Sequence, residues 1–149
     1  MIFNFLKKKI NTDQRELLEK TIDGVETMLQ TQIAMITGNL SPRNSLPKDK
    51  WVYGYIYGFV DSFFQWTVFK NSEDAWIEAA IRIFKMIYGE EGTEIGKKCI
   101  KLLEDKDKSF MEGCLKGGQE IKTYLKTEDT KESPMGLMFY MAKKIKIND

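Results

Sequence analysis

Histidine is absent from the chain of 149 residues. Imidazole is the usual general base near neutral pH and the commonest metal ligand in proteins. Its absence excludes Ser-His and Cys-His nucleophile pairs, the HExxH zinc site and the Glu-x-x-His di-iron bundle. The glycine-rich phosphate loops GxxxxGK[ST] and GxGxxG are absent as well. We therefore predict no catalytic residues, no metal site and no cofactor.

Cysteine occurs only at Cys99 and Cys114, without a CxxC pair. Two thiols are too few for a disulfide framework, and we predict that both are reduced in a cytoplasmic protein. The N-terminal segment 1–10 has its apolar residues before its lysines, the reverse of a secretory signal, so we predict no secretion. This short apolar and basic segment either folds back on the protein or contacts a membrane surface.

Neither sign of charge is in clear excess, since the chain has 23 basic and 22 acidic residues. Only three of the basic residues are arginine, so the chain has few of the planar forks that bind phosphates and bases. We predict no specific nucleic-acid partner. Glu16, Glu19, Asp23 and Glu26 recur at helical spacing, which we interpret as an exposed acidic helix face.

Proline is rare as well, and 86 consecutive residues, 48–133, contain none. Apolar residues recur every three or four positions through most of the chain, which is the helical period. These features predict an all-α protein, a single compact bundle of five to six helices forming one domain over 1–149. The main loop is expected at 39–47, where two of the three prolines lie.

Capping residues and apolar stripes give approximate helix bounds. Asn11 and Gln14 have the spacing of a capping box at the start of the first helix, and Gly38 is a suitable end. Ser133 as N-cap and Pro134 at the first helical position open the last helix. The expected helices cover 12–38, about 48–69, 72–89, 93–103, 109–126 and 134 onward, with a loop at 127–132.

The segment 51–69, WVYGYIYGFVDSFFQWTVF, holds half of the chain's aromatic residues. A helix that is apolar all round is either buried in a protein or embedded in a membrane. Asp61 lies in the middle of the segment, and an acid at the bilayer centre costs a few kcal/mol. We therefore predict the central helix of a bundle and no transmembrane segment.

Gly54, Gly58, Asp61 and Gln65 lie on one narrow arc of this helix. Two glycines one turn apart either let another helix approach closely or leave room for a ligand beside the two polar residues. Both interpretations stay open. The candidate residues for binding a ligand or partner are Trp51, Gly54, Tyr55, Gly58, Asp61, Gln65 and Trp66.

The fifth helix repeats this spacing. Gly113, Gly117 and Glu120 are spaced like the first three residues of the arc, and Tyr124 takes the place of Gln65. The two stretches share little else, so we interpret them as a possible internal pseudo-repeat. If the two glycine stripes face each other, the second and fifth helices cross closely.

Two classes of function fit these patterns. The first is a non-catalytic helical protein–protein interaction module that self-associates, in an adaptor, inhibitor or immunity-type role. It rests on the aromatic surplus, because we expect Tyr53, Tyr57 and Phe64 to form an exposed patch that a homodimer covers. The alternative is a small-molecule-binding protein or enzyme with a pocket around Asp61 and Gln65.

Overall fold

The computed structural model describes residues 11–38, 46–126 and 134–148. Within these ranges the chain forms six α-helices and no strand, which confirms the all-α prediction. The predictions for the N-terminal segment 1–10, for most of the 39–47 loop and for 127–133 lie outside the described residues. The helices are α1 (Thr12–Thr37), α2 (Lys50–Phe64), α3 (Glu73–Tyr88), α4 (Gly92–Glu104), α5 (Lys108–Lys126) and α6 (Gly136–Asn148), with a 3-10 helix at Gly89–Glu91.

Helix α1 begins and ends as its sequence predicts. The Asn11 side chain accepts a hydrogen bond from the Gln14 N–H (2.9 Å), and the Gln14 side chain accepts one from the Asn11 N–H (3.2 Å). Gly38 ends the helix in the left-handed conformation (φ 68°) that glycine adopts without strain. Six apolar residues recur at helical spacing along α1 and predict its buried face; the first five are buried and the last is half-buried: Leu18, Ile22, Val25, Leu29, Ile33 and Ile36.

Helix α2 ends at Phe64, whereas the expected end near Phe69 is wrong. The Thr67 hydroxyl donates to the Phe64 carbonyl (2.8 Å), and the Thr67 N–H donates to the same oxygen (3.0 Å). The Thr67 hydroxyl also accepts a hydrogen bond from the Phe69 N–H (3.1 Å), a local side-chain bond of the kind that competes with helical hydrogen bonds. The chain then turns, and Phe69 returns to the core.

The other bounds differ from the expected ones by a few residues. Ser72 caps α3 by accepting a hydrogen bond from the Ala75 N–H (3.3 Å). Helix α6 begins at Gly136, so Pro134 precedes the helix instead of occupying its first position.

A single cluster of buried apolar side chains contains residues of all six helices. Most of the aromatic rings of the 51–69 segment belong to it or pack against it, with Tyr53 3% and Phe64 1% exposed and Tyr57 half-buried. The expectation that Tyr53, Tyr57 and Phe64 form an exposed patch is therefore wrong. None of the described helices has the length and apolar character needed to cross a membrane.

Candidate functional site

The two glycine stripes face each other. A Cβ atom on Gly54 would collide with the carbonyl group of Phe110, and one on Gly58 would collide with that of Cys114. Residue numbers rise together along both helices at these contacts, so α2 and α5 run parallel. The predicted close crossing is confirmed, and α5 backbone occupies the space beside Gly54 and Gly58.

The crossing is reciprocal. Gly113 meets the carbonyl of Trp51, and Gly117 meets that of Tyr55, just as the α2 glycines meet α5 carbonyls. In every case the carbonyl belongs to the residue three positions before the equivalent glycine of the other helix. The pseudo-repeat seen in the sequence therefore corresponds to a local two-fold relation about an axis parallel to both helices. Contacts between glycine Cα–H groups and carbonyl oxygens are typical of such crossings.

Trp51 lies at the N-terminal end of this crossing and is covered by α6. Its ring stacks on Tyr140, with centroids 4.0 Å apart and an interplanar angle of 10°. The Tyr140 hydroxyl donates to the carboxylate of Asp49 (3.0 and 3.1 Å), which caps α2. A neighbouring helix thus occupies the face of Trp51 that the sequence left available to a ligand.

Tyr55 is fully buried and belongs to a polar network that joins four helices. The Gln32 side chain of α1 donates to the Tyr55 hydroxyl (3.0 Å), and this hydroxyl donates to Glu120 of α5 (2.8 Å). The Gly136 N–H at the start of α6 donates to both oxygens of Glu120 (2.8 and 3.0 Å). Burial and the adjacent carboxylate raise the pKa of Tyr55, so the hydroxyl stays protonated and can donate.

Sequence reasoning missed this network, although two signals pointed to it. Gln32 is the polar residue on the otherwise apolar stripe of α1. Glu120 takes the place of Asp61 in the pseudo-repeat. A polar residue on a buried face normally has a hydrogen-bond partner, but the sequence does not say which one.

Asp61 and Gln65 lie at the C-terminal end of the crossing, beyond the glycines. Burial raises the pKa of the half-buried Asp61 carboxyl, and the charge of Lys122 and a hydrogen bond from Gln65 oppose that shift. Gln65 is exposed and follows the last residue of α2. These two candidates therefore lie together at the surface, apart from Trp51 and Tyr55.

Trp66 lies on the turn between α2 and α3, residues 65–72, which we name the exposed turn. Its side chain is 51% exposed and that of Val68 is 72% exposed. The turn is anchored on both sides of these residues, because Phe64 and Phe69 are buried with ring centroids 6.4 Å apart. The Phe69 N–H also donates to the Thr67 hydroxyl (3.1 Å).

A basic depression adjoins the exposed turn. The ammonium group of Lys126 lies 6.0 Å from the centre of the Trp66 ring. Lys126 also lines a depression of about 590 Å³ on the outer side of α5, which we name the basic groove. The groove is lined by Lys116, Gln119, Glu120, Lys122, Lys126 and Pro134, among others.

Neither acids nor thiols form a metal or nucleophile site in the described residues. Arg82 of α3 lies against the acidic face of α1, 2.5 Å from Glu19, 3.6 Å from Asp23 and 3.8 Å from Glu26. That face therefore contacts a neighbouring helix, and the described ranges contain no cluster of metal-binding side chains. Burial raises the pKa of both cysteine thiols to about 12, which makes them poor nucleophiles.

The chain matches no protein-family model, no curated protein and no solved structure.

Proposed function

We propose that the protein is a non-catalytic helical protein–protein interaction module that binds its partner through the exposed turn. The observation that carries this proposal is the exposure of Trp66 and Val68 on a turn whose backbone is held by Thr67 and by two buried phenylalanines. Tryptophan is enriched among the residues that dominate the energy of protein interfaces. A turn that is already ordered loses little conformational entropy on binding.

The candidate residues fit this role better than the alternative of a small-molecule site or enzyme. Four of them are engaged inside the fold, since Gly54 and Gly58 contact α5, Trp51 contacts α6, and Tyr55 belongs to the buried network. Asp61, Gln65 and Trp66 remain near the surface. A partner that covers Trp66 would meet Asp61 and Gln65 at the edge of the contact, where polar residues are usual.

Affinity capture from the native cell with the double variant Trp66→Ala, Val68→Ser tests the proposal. Both side chains are exposed, so we expect an unchanged melting temperature together with loss of the captured partner. Ile100→Ala is the matched control, because Ile100 is 47% exposed on α4 and its truncation should leave capture intact. Capture of the same proteins by the double variant and the wild type would refute the proposal.

Self-association stays a prediction. The buried Tyr53 and Phe64 leave no reason for a contact through the flank of α2. The exposed turn could serve a second copy of the chain as well as a foreign partner. Light scattering decides between them, because a mass of 17.4 kDa that does not change with concentration would exclude a homodimer. The cytoplasmic location likewise stays a prediction.

A further inference from the structure

The basic groove and the exposed turn form one continuous surface. Lys126 belongs to both, because it lines the groove and its ammonium group lies over the Trp66 ring. An apolar anchor and a row of cations thus lie side by side. If one residue of a partner covers Trp66, the residues next to it in the partner therefore reach the groove.

The described residues that line the groove carry a net positive charge. Lys116, Lys122 and Lys126 line it, and all three side chains are exposed. Glu120 is the one carboxylate among the described lining residues. Its oxygens accept hydrogen bonds from the Tyr55 hydroxyl and the Gly136 N–H, and the Lys116 ammonium group lies 4.0 Å from one of them. Three ammonium groups therefore stand against one carboxylate, whose oxygens are already engaged by groups of the protein itself.

Among the described residues, Asp61 also lies close to one of these lysines, Lys122. It is half-buried, and the charge of Lys122 and the Gln65 side chain act on it. It reduces the positive charge at the end of the groove nearest α2, while the ammonium group of Lys116 lies 4.0 Å from the Glu120 carboxylate. Acidic groups of a partner are therefore expected to lie along α5, beyond the Trp66 contact.

From this juxtaposition we infer that the basic groove binds an acidic segment of the partner protein, a short stretch with Asp and Glu side chains next to an apolar residue that packs on Trp66. The inference rests on the proposed function and gives the partner its chemistry. Complementary charge steers association and selects among partners. A peptide segment suits the site because the lysines line a depression along one helix and Trp66 lies at its end. A lipid surface is broad and would meet Trp66 and Val68 on the exposed turn, but it does not enter a depression along one helix as a peptide segment does.

A displayed library of random short peptides tests this inference on the isolated, full-length protein. We expect the wild type to select peptides rich in Asp and Glu around an apolar residue, and we expect their affinity to fall as salt concentration rises. Lys122→Glu with Lys126→Glu should weaken the selected peptides at least about tenfold. Lys98→Glu with Lys101→Glu is the control, because it changes net charge equally on α4, and it should leave the affinity unchanged.

The variants separate failure of this inference from failure of the proposed function. Selected peptides that depend on Trp66 but contain no excess of acids would overturn the acidic partner and leave the interaction module standing. Failure of the wild type to retain any peptide would overturn the inference. Two further probes are a single-stranded oligothymidine and phosphatidylcholine vesicles with and without phosphatidylserine. Equal or tighter binding of either one through the same lysines would overturn it in favour of a nucleic acid or a membrane.

Discussion

Helices α2 and α5 have the same glycine spacing but different surroundings. Ten of the 15 residues of α2 are buried, against five of the 19 in α5. A glycine crossing involves only one side of each helix, so it does not determine what covers the other sides. Because α5 keeps one side in solvent, the surface available to a partner lies along α5 and on the turn after α2. The aromatic richness of α2 mainly reflects its burial.

The acids that follow the glycines extend this comparison. Asp61 and Glu120 occupy equivalent positions, each three residues after the second glycine of its helix. Glu120 accepts hydrogen bonds from the Tyr55 hydroxyl and from the first N–H of α6. Asp61 instead has a surface lysine and an exposed glutamine beside it. The acid at this position thus joins helices in α5, whereas the equivalent acid of α2 lies at the surface.

The glycine crossing should give the largest effect on stability. Gly58→Ala places a methyl group against the Cys114 backbone, which cannot move aside as a flexible side chain would. We expect the free energy of unfolding to fall by about 3 kcal/mol or more, toward the upper end of overpacking costs. Chemical denaturation measures the change. Gly117→Ala should cost a similar amount, because the crossing is reciprocal.

Gly24→Ala is the matched control for this prediction. Gly24 lies within α1, and nothing comes within 4 Å of a Cβ atom built there. Alanine is the better helix former by up to about 1 kcal/mol, so this variant should be more stable than the wild type. Stabilisation by Gly58→Ala as well would show that the two helices do not meet at their glycines.

The crossing and the ends of α1 could be predicted from the sequence because each depends on local or repeated spacing. Asn11 and Gln14 form a cap from residues three apart, and Gly38 ends the helix through its own conformational freedom. The glycine crossing required a second stripe of the same spacing, and α5 provided it. In the caps and in the crossing, the residues that make the structural contact are the same residues that form the recognisable spacing in the sequence.

The network around Glu120 and the cover on Trp51 could not be predicted, because they depend on where α6 packs. Tyr140 and Gly136 are distant in sequence from the residues that they contact. The early end of α2 was missed for a different reason. The aromatic run continues past Phe64, and the competing hydrogen bonds of Thr67 are not visible in an apolar pattern.

Removal of Glu120 should give the second largest effect. Glu120→Ala leaves the Gly136 N–H without its acceptor and leaves the Tyr55 hydroxyl only the longer contact to the Gln32 side-chain oxygen (3.3 Å), and we expect a loss of about 2–3 kcal/mol in unfolding free energy. Glu120→Gln retains an acceptor oxygen and should cost about 1 kcal/mol. Denaturation of both variants measures the two losses. Equal stability of Glu120→Ala and the wild type would mean that the network does not hold α6.

Substitution of Asp61 should raise the free energy of unfolding, whereas substitution of Glu120 lowers it. The reason is the raised pKa of Asp61. Burial raises the pKa of Asp61 in the folded protein, so the unfolded chain loses this proton first as the pH increases. Between the two pKa values the folded state binds more protons, and the free energy of unfolding then decreases with increasing pH. The contribution of Asp61 is therefore most favourable in acid and is lost as the pH rises through the pKa of the folded state.

Asp61→Asn removes the loss of stability that accompanies ionisation of Asp61, so it tests whether Asp61 and Glu120 act differently. We expect the variant to melt at a slightly higher temperature than the wild type at neutral pH. The gain in the free energy of unfolding should be less than about 1 kcal/mol, because solvent screens a half-buried carboxylate. The difference should shrink as the pH falls through the raised pKa of wild-type Asp61. Melting curves over this pH range, with Glu120→Gln measured in parallel, provide the test. If Asp61→Asn instead lowers the melting temperature at neutral pH, as Glu120→Gln is expected to do, attraction to Lys122 outweighs the cost of burial and the two acids act alike.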